Sequence, residues 1–369
     1  MKKIVYIVKS KLHYYPPCVS QIKILKELGY NLDVLYGTSH KSIIDELNKE
    51  NINCIRIKGI TDDNLSIFKK LVNWIIFRIN LKNKLKEYDR DNTILWFGTA
   101  ESVMPMIYAL KGYKYIVSIL ELMDQEKLKI KLLKPIVNEA KAVTVCEETR
   151  AYIQKYWWKL KELPYVLPNK PYLSKMVDKE IVSNEKIKEI LEKIGNREYI
   201  IYQGIIQNSE ELLEIAKALN NTKKRYVFVL MGIDKYKSLE KIKKEYDDVI
   251  YIPYIPAPYH LEITKKARIG ITYYRPDDLN RAFCAPNKIY EYTGFGIPIL
   301  CNDIPGLKNT VGIRGAAKCI VLKENNIVEA INEIEENYNE YKKNAIIFFN
   351  STDNKSTIEK MLGEVKDEN

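Results

Sequence analysis

The sequence predicts an α/β protein built as two Rossmann-like, doubly wound parallel-sheet domains facing a cleft. Three observations lead there. Short apolar runs alternate with helical segments along nearly the whole chain, and such alternation needs crossover connections, which give parallel sheets covered on both faces. The alternation breaks once, at the proline-containing stretch Leu163 to Pro171, and then resumes. The length of 369 residues suits two cores of roughly 150 residues each.

Taken in order, the first strand is Lys3 to Val8, followed by a helix from Val19 to Leu28 that Gly29 ends and a strand from Leu32 to Tyr36. Further strands are expected at Cys54 to Ile57, Ile94 to Phe97, Tyr115 to Ile119 and Ala142 to Cys146, with helices at Ser102 to Leu110 and Glu148 to Trp157. Beyond the break come strand Tyr199 to Tyr202, helix Ser209 to Leu219, strand Tyr226 to Met231, helix Lys235 to Tyr246 and strand Val249 to Tyr251. A helix near Pro258 to Lys266, strand Ile269 to Tyr273, a strand near Lys318 to Leu322 and helix Ile327 to Glu340 follow. The resulting division is 1–165, 166–345 and a helical tail, 346–369.

Bulk properties exclude several classes. Hydrophobic residues make up 46% and charged residues 29% of the chain, an ordinary globular balance. No run approaches the roughly 18 apolar residues of a membrane span, and the apolar run after Lys2 and Lys3 stops at Lys9, too short for a signal peptide. A cytoplasmic location is expected. Six scattered cysteines without a C-x-x-C pair read as reduced and structural, and His13, His40 and His260 lack neighbours at metal-ligand spacing. Neither a G-x-x-x-x-G-K-[ST] phosphate loop nor a G-x-G-x-x-G after a strand is present.

The most informative stretch is Pro286 to Pro305, PNKIYEYTGFGIPILCNDIP. Pro286 suits a first helical position, Gly294 or Gly296 with Pro298 supplies a stop, and the helix between would have about three turns. Its N-terminus offers unpaired N–H groups, and Lys288 in the first turn adds a full positive charge, so phosphate oxygens are the natural guest. Glu291, one turn on, can accept hydrogen bonds from the two vicinal hydroxyls of a ribose. Singly, each residue also reads as helix punctuation or a solvated surface pair.

Together, PNKIYEYTGFGIP resembles the P-x-K-x-x-E-Y-x-x-x-G-x-P signature of GT-B fold glycosyltransferases, particularly the large retaining family 4 group. Tyr202-Gln203-Gly204 followed by SEELLEIAKAL is similar to the opening of that group's carboxyl-terminal domain, and Leu167-Pro168-Asn169 to the crossover before it. The resemblance implies Lys288 near the donor diphosphate, Glu291 on its ribose, base contacts near Tyr254 and Ile255, and a last helix that packs back on the first domain. One departure concerns the donor sugar: where many members carry another Glu, this chain has Phe283.

Other candidates lie in loops after strands. Gly204 lets a backbone approach a phosphate closely, Asn287 adjoins Lys288, and Arg275, Asn280 and Arg281 precede it; any of them can meet a phosphate or a sugar hydroxyl. On the acceptor side, Glu121 follows a strand beside Leu120, where many relatives place a His. An inverting transfer needs a base, which Glu121, Asp124 or His13 can supply; a retaining one does not require it.

The expected activity is transfer of a sugar from a nucleotide-diphosphate donor, UDP- or GDP-linked, to a glycan or lipid-linked acceptor in bacterial-type polysaccharide or glycolipid assembly. No metal or other cofactor is expected, and the nucleotide sugar is a substrate. A nucleotide-sugar epimerase on the same scaffold and an inactive nucleotide-binding subunit are the alternatives. Charge adds a location. Residues 1–165 hold 28 Lys and Arg against 18 Asp and Glu, a net of +10, whereas 166–369 hold 31 against 30, a net of +1. Asn64 to Lys86 alone has six basic residues, no acidic one, and Phe68, Trp74, Ile75, Ile76 and Phe77 among them. As a helix it would either rest on an anionic membrane surface or serve as a core helix with solvated lysines. Nucleic acid is not expected, since no binding motif accompanies the charge.

Overall fold

The computed structural model describes residues 3–59, 67–172, 185–206 and 210–367. Asn64 to Ser66 of the basic stretch and Ser209 lie outside the described residues. The chain divides into two units: Met1–Tyr172 with Asp278–Asn280 and Asp353–Asn369, and Leu173–Asp277 with Arg281–Thr352.

The first unit holds β1 (Lys3–Lys11), β2 (Asn31–Thr38), β3 (Asn53–Arg56), β4 (Thr93–Phe97), β5 (Lys114–Ile119), β6 (Ala142–Val145) and β7 (Tyr165–Val166) in the order β3-β2-β1-β4-β5-β6-β7. Every pairing is parallel. Because β7 joins this sheet, the first unit runs on to Tyr172 rather than ending at residue 165. Period-two geometry sends Ile4, Tyr6 and Val8 to one face, against Ile22 and Leu25 of helix Pro16–Glu27 and Met361 and Leu362 of helix Asn354–Asp367. Val5 and Ile7 go to the other, against Phe77 and Leu81 of helix Ile67–Leu85 and Leu133 and Ile136 of helix Lys127–Glu139. Burial on both faces is why these strands read as continuous apolar runs. Polar groups inside are paired: Tyr6 donates to Gln21 Oε1 at 2.6 Å, and Trp96 Nε1 and Thr144 Oγ1 both donate to Ser118 Oγ at 2.8 Å.

The second unit repeats the plan with β8 (Tyr199–Ile206), β9 (Val227–Asp234), β10 (Val249–Ile252), β11 (Ile269–Thr272), β12 (Ile299–Asn302) and β13 (Ala317–Ile320), in the order β10-β9-β8-β11-β12-β13 and parallel throughout. Ile200 and Tyr202 pack on Leu212, Ile215 and Ile331, while Tyr199 and Ile201 face Ile289, Tyr292 and Ile263. The cysteines are free thiols, and Cys301 and Cys319, opposite each other on β12 and β13, bring their sulfurs within 3.3 Å.

Several expected elements differ. Ser102 to Leu110 is no single helix: a turn of α-helix at Ala100–Val103 passes into a 3-10 turn at Met104–Met106, because Pro105 lacks the N–H to continue. The helix expected over Lys235 to Tyr246 is confined to Leu239–Glu245, since Asp234 accepts from the N–H groups of Ser238 and Leu239 and fixes the start there. Helices Lys41–Lys49, Lys127–Glu139 and Glu185–Ile194 add to the expected set. The acidic helix is Glu324–Glu336, and a separate one, Tyr338–Ser351, packs on the helix carrying Lys288.

At the ends of β8 and β9, Gly204 and Gly232 pair in register with φ of +139° and +145°. A Cβ on Gly232 would lie 1.8 Å from the carbonyl oxygen of Gly204. Gly232→Ala should therefore cost at least about 3 kcal/mol, combining collision with a backbone angle that side chains avoid. Gly363→Ala, in a helix with nothing near the new methyl, should instead stabilise by about 1 kcal/mol. Urea unfolding of the two variants checks both signs.

Candidate functional site

The second sheet reverses its strand order between β8 and β11. Loops leaving the carboxyl ends of those strands run apart, and ligands of such sheets occupy the crevice they leave. Tyr202, Gln203 and Gly204 form the end of β8, and Tyr273 and Tyr274 directly follow β11. Helix Asn287–Gly294 brings Lys288 and Glu291 to the same place. It begins one residue later than expected and is shorter, eight residues rather than about three turns. Pro286 is the cap, with ψ of 145°, so helical geometry starts at Asn287; Gly296, at φ +68°, makes the turn out.

Lys288 and Gly204 meet closely. A Cβ at position 204 would lie 3.1 Å from Lys288 Nζ, so glycine is what admits the ammonium to the strand end. Nζ lies 4.8 Å from the centre of the Tyr202 ring and 5.4 Å from that of Tyr274. Ring faces attract a cation but are no substitute for an anion. No hydrogen-bond acceptor or carboxylate among the described residues meets this ammonium. Burial pushes its pKa down to about 8, against the opposing pull of Glu291.

Glu291 is 8% exposed. Gln203 Nε2 donates to its Oε2, and His260 Nε2 lies 3.4 Å from the same oxygen. Gln203 is held in turn by Thr264, whose Oγ1 donates to Gln203 Oε1 at 2.8 Å. In sequence Gln203 stands in the Tyr202-Gln203-Gly204 string without a role of its own, Thr264 belongs to no motif, and His260 reads only as a possible metal ligand without neighbours. Nothing local marks them: Gln203 is 88 positions from Glu291, and only the fold joins them.

The other candidates are spread more widely. Asn287 opens the helix, half-buried. Ile255 packs against the core of the second unit, while Tyr254 is 53% exposed. Arg275 is exposed and bound to Glu211 at 3.3 Å, an interaction that raises its pKa. Arg281 pairs with Asp277 at 2.8 Å. Asn280 is not grouped with Lys288: it belongs to the first unit, where its Oδ1 accepts from the Leu122 N–H at 2.9 Å and its carbonyl from Arg150 at 2.8 Å. Also in the first unit, His13 sits in a 3-10 turn after β1, its ring 3.9 Å from that of His40. Glu121 is exposed just beyond β5, and after burial its charge, with that of Glu101, helps raise the pKa of Tyr15. Leu120 offers its carbonyl to Arg150 at 2.7 Å.

This architecture matches solved structures over essentially the whole chain. HepE of Anabaena, in complex with UDP-glucose, superposes with a TM-score of 0.70 at 12% identity, over 98% of this chain and 99% of that one. The fold is GT-B. Sucrose-phosphate synthase of Thermosynechococcus elongatus gives 0.69 at 14% identity, covering 99% and 98%. UDP-GlcNAc 2-epimerase of Neisseria meningitidis, bound to UDP-GlcNAc, gives 0.68 at 14%, covering 98% and 99%. No protein-family model matches the chain, and no curated protein matches it in sequence.

An ammonium disfavoured by its surroundings has a measurable signature. The pKa of Lys288 falls from 10.5 to about 8 on folding, so the charged form opposes folding by up to about 3 kcal/mol. That cost is fully present below pH 8 and disappears as pH rises towards 10.5. Lys288→Met should therefore raise Tm at pH 7, with the gain shrinking between pH 8 and 10.5; thermal unfolding across that range measures it.

Proposed function

We propose that this chain is a glycosyltransferase that moves a sugar from a nucleotide-diphosphate donor to a glycan or lipid-linked acceptor in polysaccharide or glycolipid assembly. The observation that carries the reading is the Lys288 ammonium, half-buried at the strand-order reversal of a GT-B fold with no ion-pair partner among the described residues. Its three donors suit a diphosphate, and the backbone N–H groups opening its helix point the same way. Glu291, one turn on, suits a ribose. UDP is the favoured nucleotide because HepE and the epimerase were solved with UDP-linked ligands. The string PNKIYEYTGFGIP extends the reading to the retaining family 4 group, with Phe283 as its departure.

In this mechanism the bond from the sugar's anomeric carbon to the diphosphate oxygen breaks, and negative charge grows on the leaving group. Lys288 and the helix N-terminus stabilise that charge, and Gly204 lets the backbone come near; these groups are in place before the reaction, which is what makes them effective. The same grip would serve an epimerase, a second reading favoured by the epimerase neighbour. Incubating the protein with UDP-GlcNAc and no acceptor separates the two, since only epimerisation proceeds then.

Lys288→Ala and Glu291→Ala should each abolish donor-dependent transfer while leaving thermal unfolding cooperative, and wild-type transfer should survive EDTA. Wild-type turnover in both variants overturns the assignment. A bound diphosphate raises the pKa of Lys288 above its free value of about 8. UDP affinity should thus be full below pH 8 and fall up to about tenfold per unit above it; calorimetry in buffers of different ionisation enthalpy should show proton uptake at pH 8.5.

The reading includes a cytoplasmic membrane surface as the place of work. Helix Ile67–Leu85 has two apolar faces. Phe77, Leu81 and Leu85 are buried in the first unit's core, while Phe68, Leu71, Ile75 and Ile79 are exposed along the opposite side. Lys82 continues that exposed line, and Lys69 and Lys70 flank its start. Apolar groups that enter the headgroup region beside lysines suit anionic lipid. Arg78 serves the fold instead, donating to the carbonyls of Pro105 and Ile107 at 3.1 Å. No described helix is long and apolar enough to cross a membrane. Co-sedimentation with anionic vesicles should weaken with salt and with Glu at 69, 70 and 82. Equal binding to neutral vesicles, or none to either, removes this location.

A further inference from the structure

We propose that Gln203, fixed by Thr264 and assisted by His260, is a positioning residue that makes the site selective for ribonucleotides over 2′-deoxyribonucleotides. The inference rests on the reading of Glu291 as the group that meets the nucleotide's ribose. A carboxylate has two oxygens with about two acceptor positions each. At Glu291 the Gln203 amide donates to Oε2, and His260 Nε2 lies 3.4 Å from the same oxygen. No donor among the described residues meets Oε1. The described groups thus gather on one oxygen and leave two adjacent acceptor positions on the other, the complement of a pair of vicinal hydroxyls.

The orientation of the Gln203 amide is fixed. Thr264, fully buried, donates its one hydroxyl proton to Gln203 Oε1 at 2.8 Å, the shorter of its two contacts; the His260 carbonyl, at 3.2 Å, competes for the same proton. An amide whose oxygen accepts from Thr264 must turn its NH2 towards Glu291. Gln203 is itself only 6% exposed, so the reversed amide would set an oxygen against a carboxylate, which is costly away from water. His260 contributes from the other side. Its Nδ1 is buried with no hydrogen-bond partner, and its Nε2 is the ring nitrogen that faces Glu291. The carboxylate plane is therefore set by groups from β8, from the turn of helix Leu261–Thr264 and from its own helix, before any nucleotide arrives.

Such preorganisation has a signature that general stability lacks. If Oε1 is aimed at the hydroxyl pair, removing the 2′-hydroxyl leaves an acceptor on a buried charge unmet. Wild type should then bind UDP about tenfold or more tightly than 2′-deoxy-UDP. Gln203→Met and Thr264→Val preserve volume while removing the relay. In both, UDP should lose affinity while 2′-deoxy-UDP loses much less, so the ratio between them shrinks towards one. Thr264→Ser, which keeps the hydroxyl, should retain the wild-type ratio. Calorimetric titration of both nucleotides into each variant, with thermal unfolding to verify folding, decides the matter. An unchanged ratio in Gln203→Met and Thr264→Val, or affinity lost equally for both nucleotides, overturns the inference while leaving UDP binding itself intact. Absence of UDP binding to wild type instead removes the donor-site reading, and this inference with it.

Discussion

An ammonium group brought against the end of a parallel sheet with no anion beside it has to be held there by the rest of the fold. As far as the described residues go, Lys288 is in that position. The Tyr202 and Tyr274 rings flank it, Gly204 makes room for it, and Glu291 pulls on it from one turn away without forming an ion pair. Placing a carboxylate within reach would relieve the cost and also fill the site. Leaving it unrelieved keeps the charge available for a ligand, and the cores on both faces of the second sheet supply the stability that this consumes.

The geometry behind that placement belongs to the sheet. A strand order that runs outward in both directions from β8 and β11 opens a crevice at one position only, and the residues at the end of β8 line it. Gly204 and Gly232 let β8 and β9 pass each other there in an extended form with positive φ, with the Gly232 Cα close beneath the Gly204 carbonyl. Asn302, at the end of β12, fixes the other wall: its side chain accepts from the Tyr274 N–H at 3.1 Å and donates to the Tyr274 carbonyl at 2.7 Å. Backbone and side-chain contacts from three strands thus determine the surroundings of one cation.

What could be read in the sequence follows from how local each signal is. The strands were legible because burial on both faces makes them apolar without interruption, and Lys288 and Glu291 because three-residue spacing on a short helix is a local fact. Helix Lys127–Glu139 was hidden by Pro135 and by four lysines that dilute its apolar face. The short turn at Ala100–Val103 was overestimated because Pro105 lies among apolar residues that continue the helical pattern. Thr264 and His260 carry no local pattern, and the string around Gln203 says nothing of Glu291, 88 positions away. Their meaning comes from strand order and helix placement, which bring three separate segments to one carboxylate. Asn280 shows the reverse: a residue a few positions before Lys288 in sequence is tied to Leu122 and Arg150 of the first unit.

The two units also treat charge differently. In the second, acidic and basic groups are matched at short range: Glu335 accepts from Arg268 at 2.7 Å and from Lys224 at 2.7 Å, and although burial alone would raise its pKa, these bonds hold it at about 2. Lys318 pairs with Glu333, and Arg197 with Asp248. A unit of net charge +3 with locally matched charges projects only a weak field of its own, so Lys288, without an ion-pair partner among the described residues, stands out as a local feature. The first unit has a surplus of eight positive charges, and lysines of helix Ile67–Leu85 border an apolar line that the core leaves uncovered. Its field is broad instead of focused, and a broad positive field with an adjoining apolar strip suits an extended anionic surface better than a single small ligand. On the proposed reading, small-ligand recognition and surface attraction make separate demands on the chain, and each unit can meet its own without weakening the other.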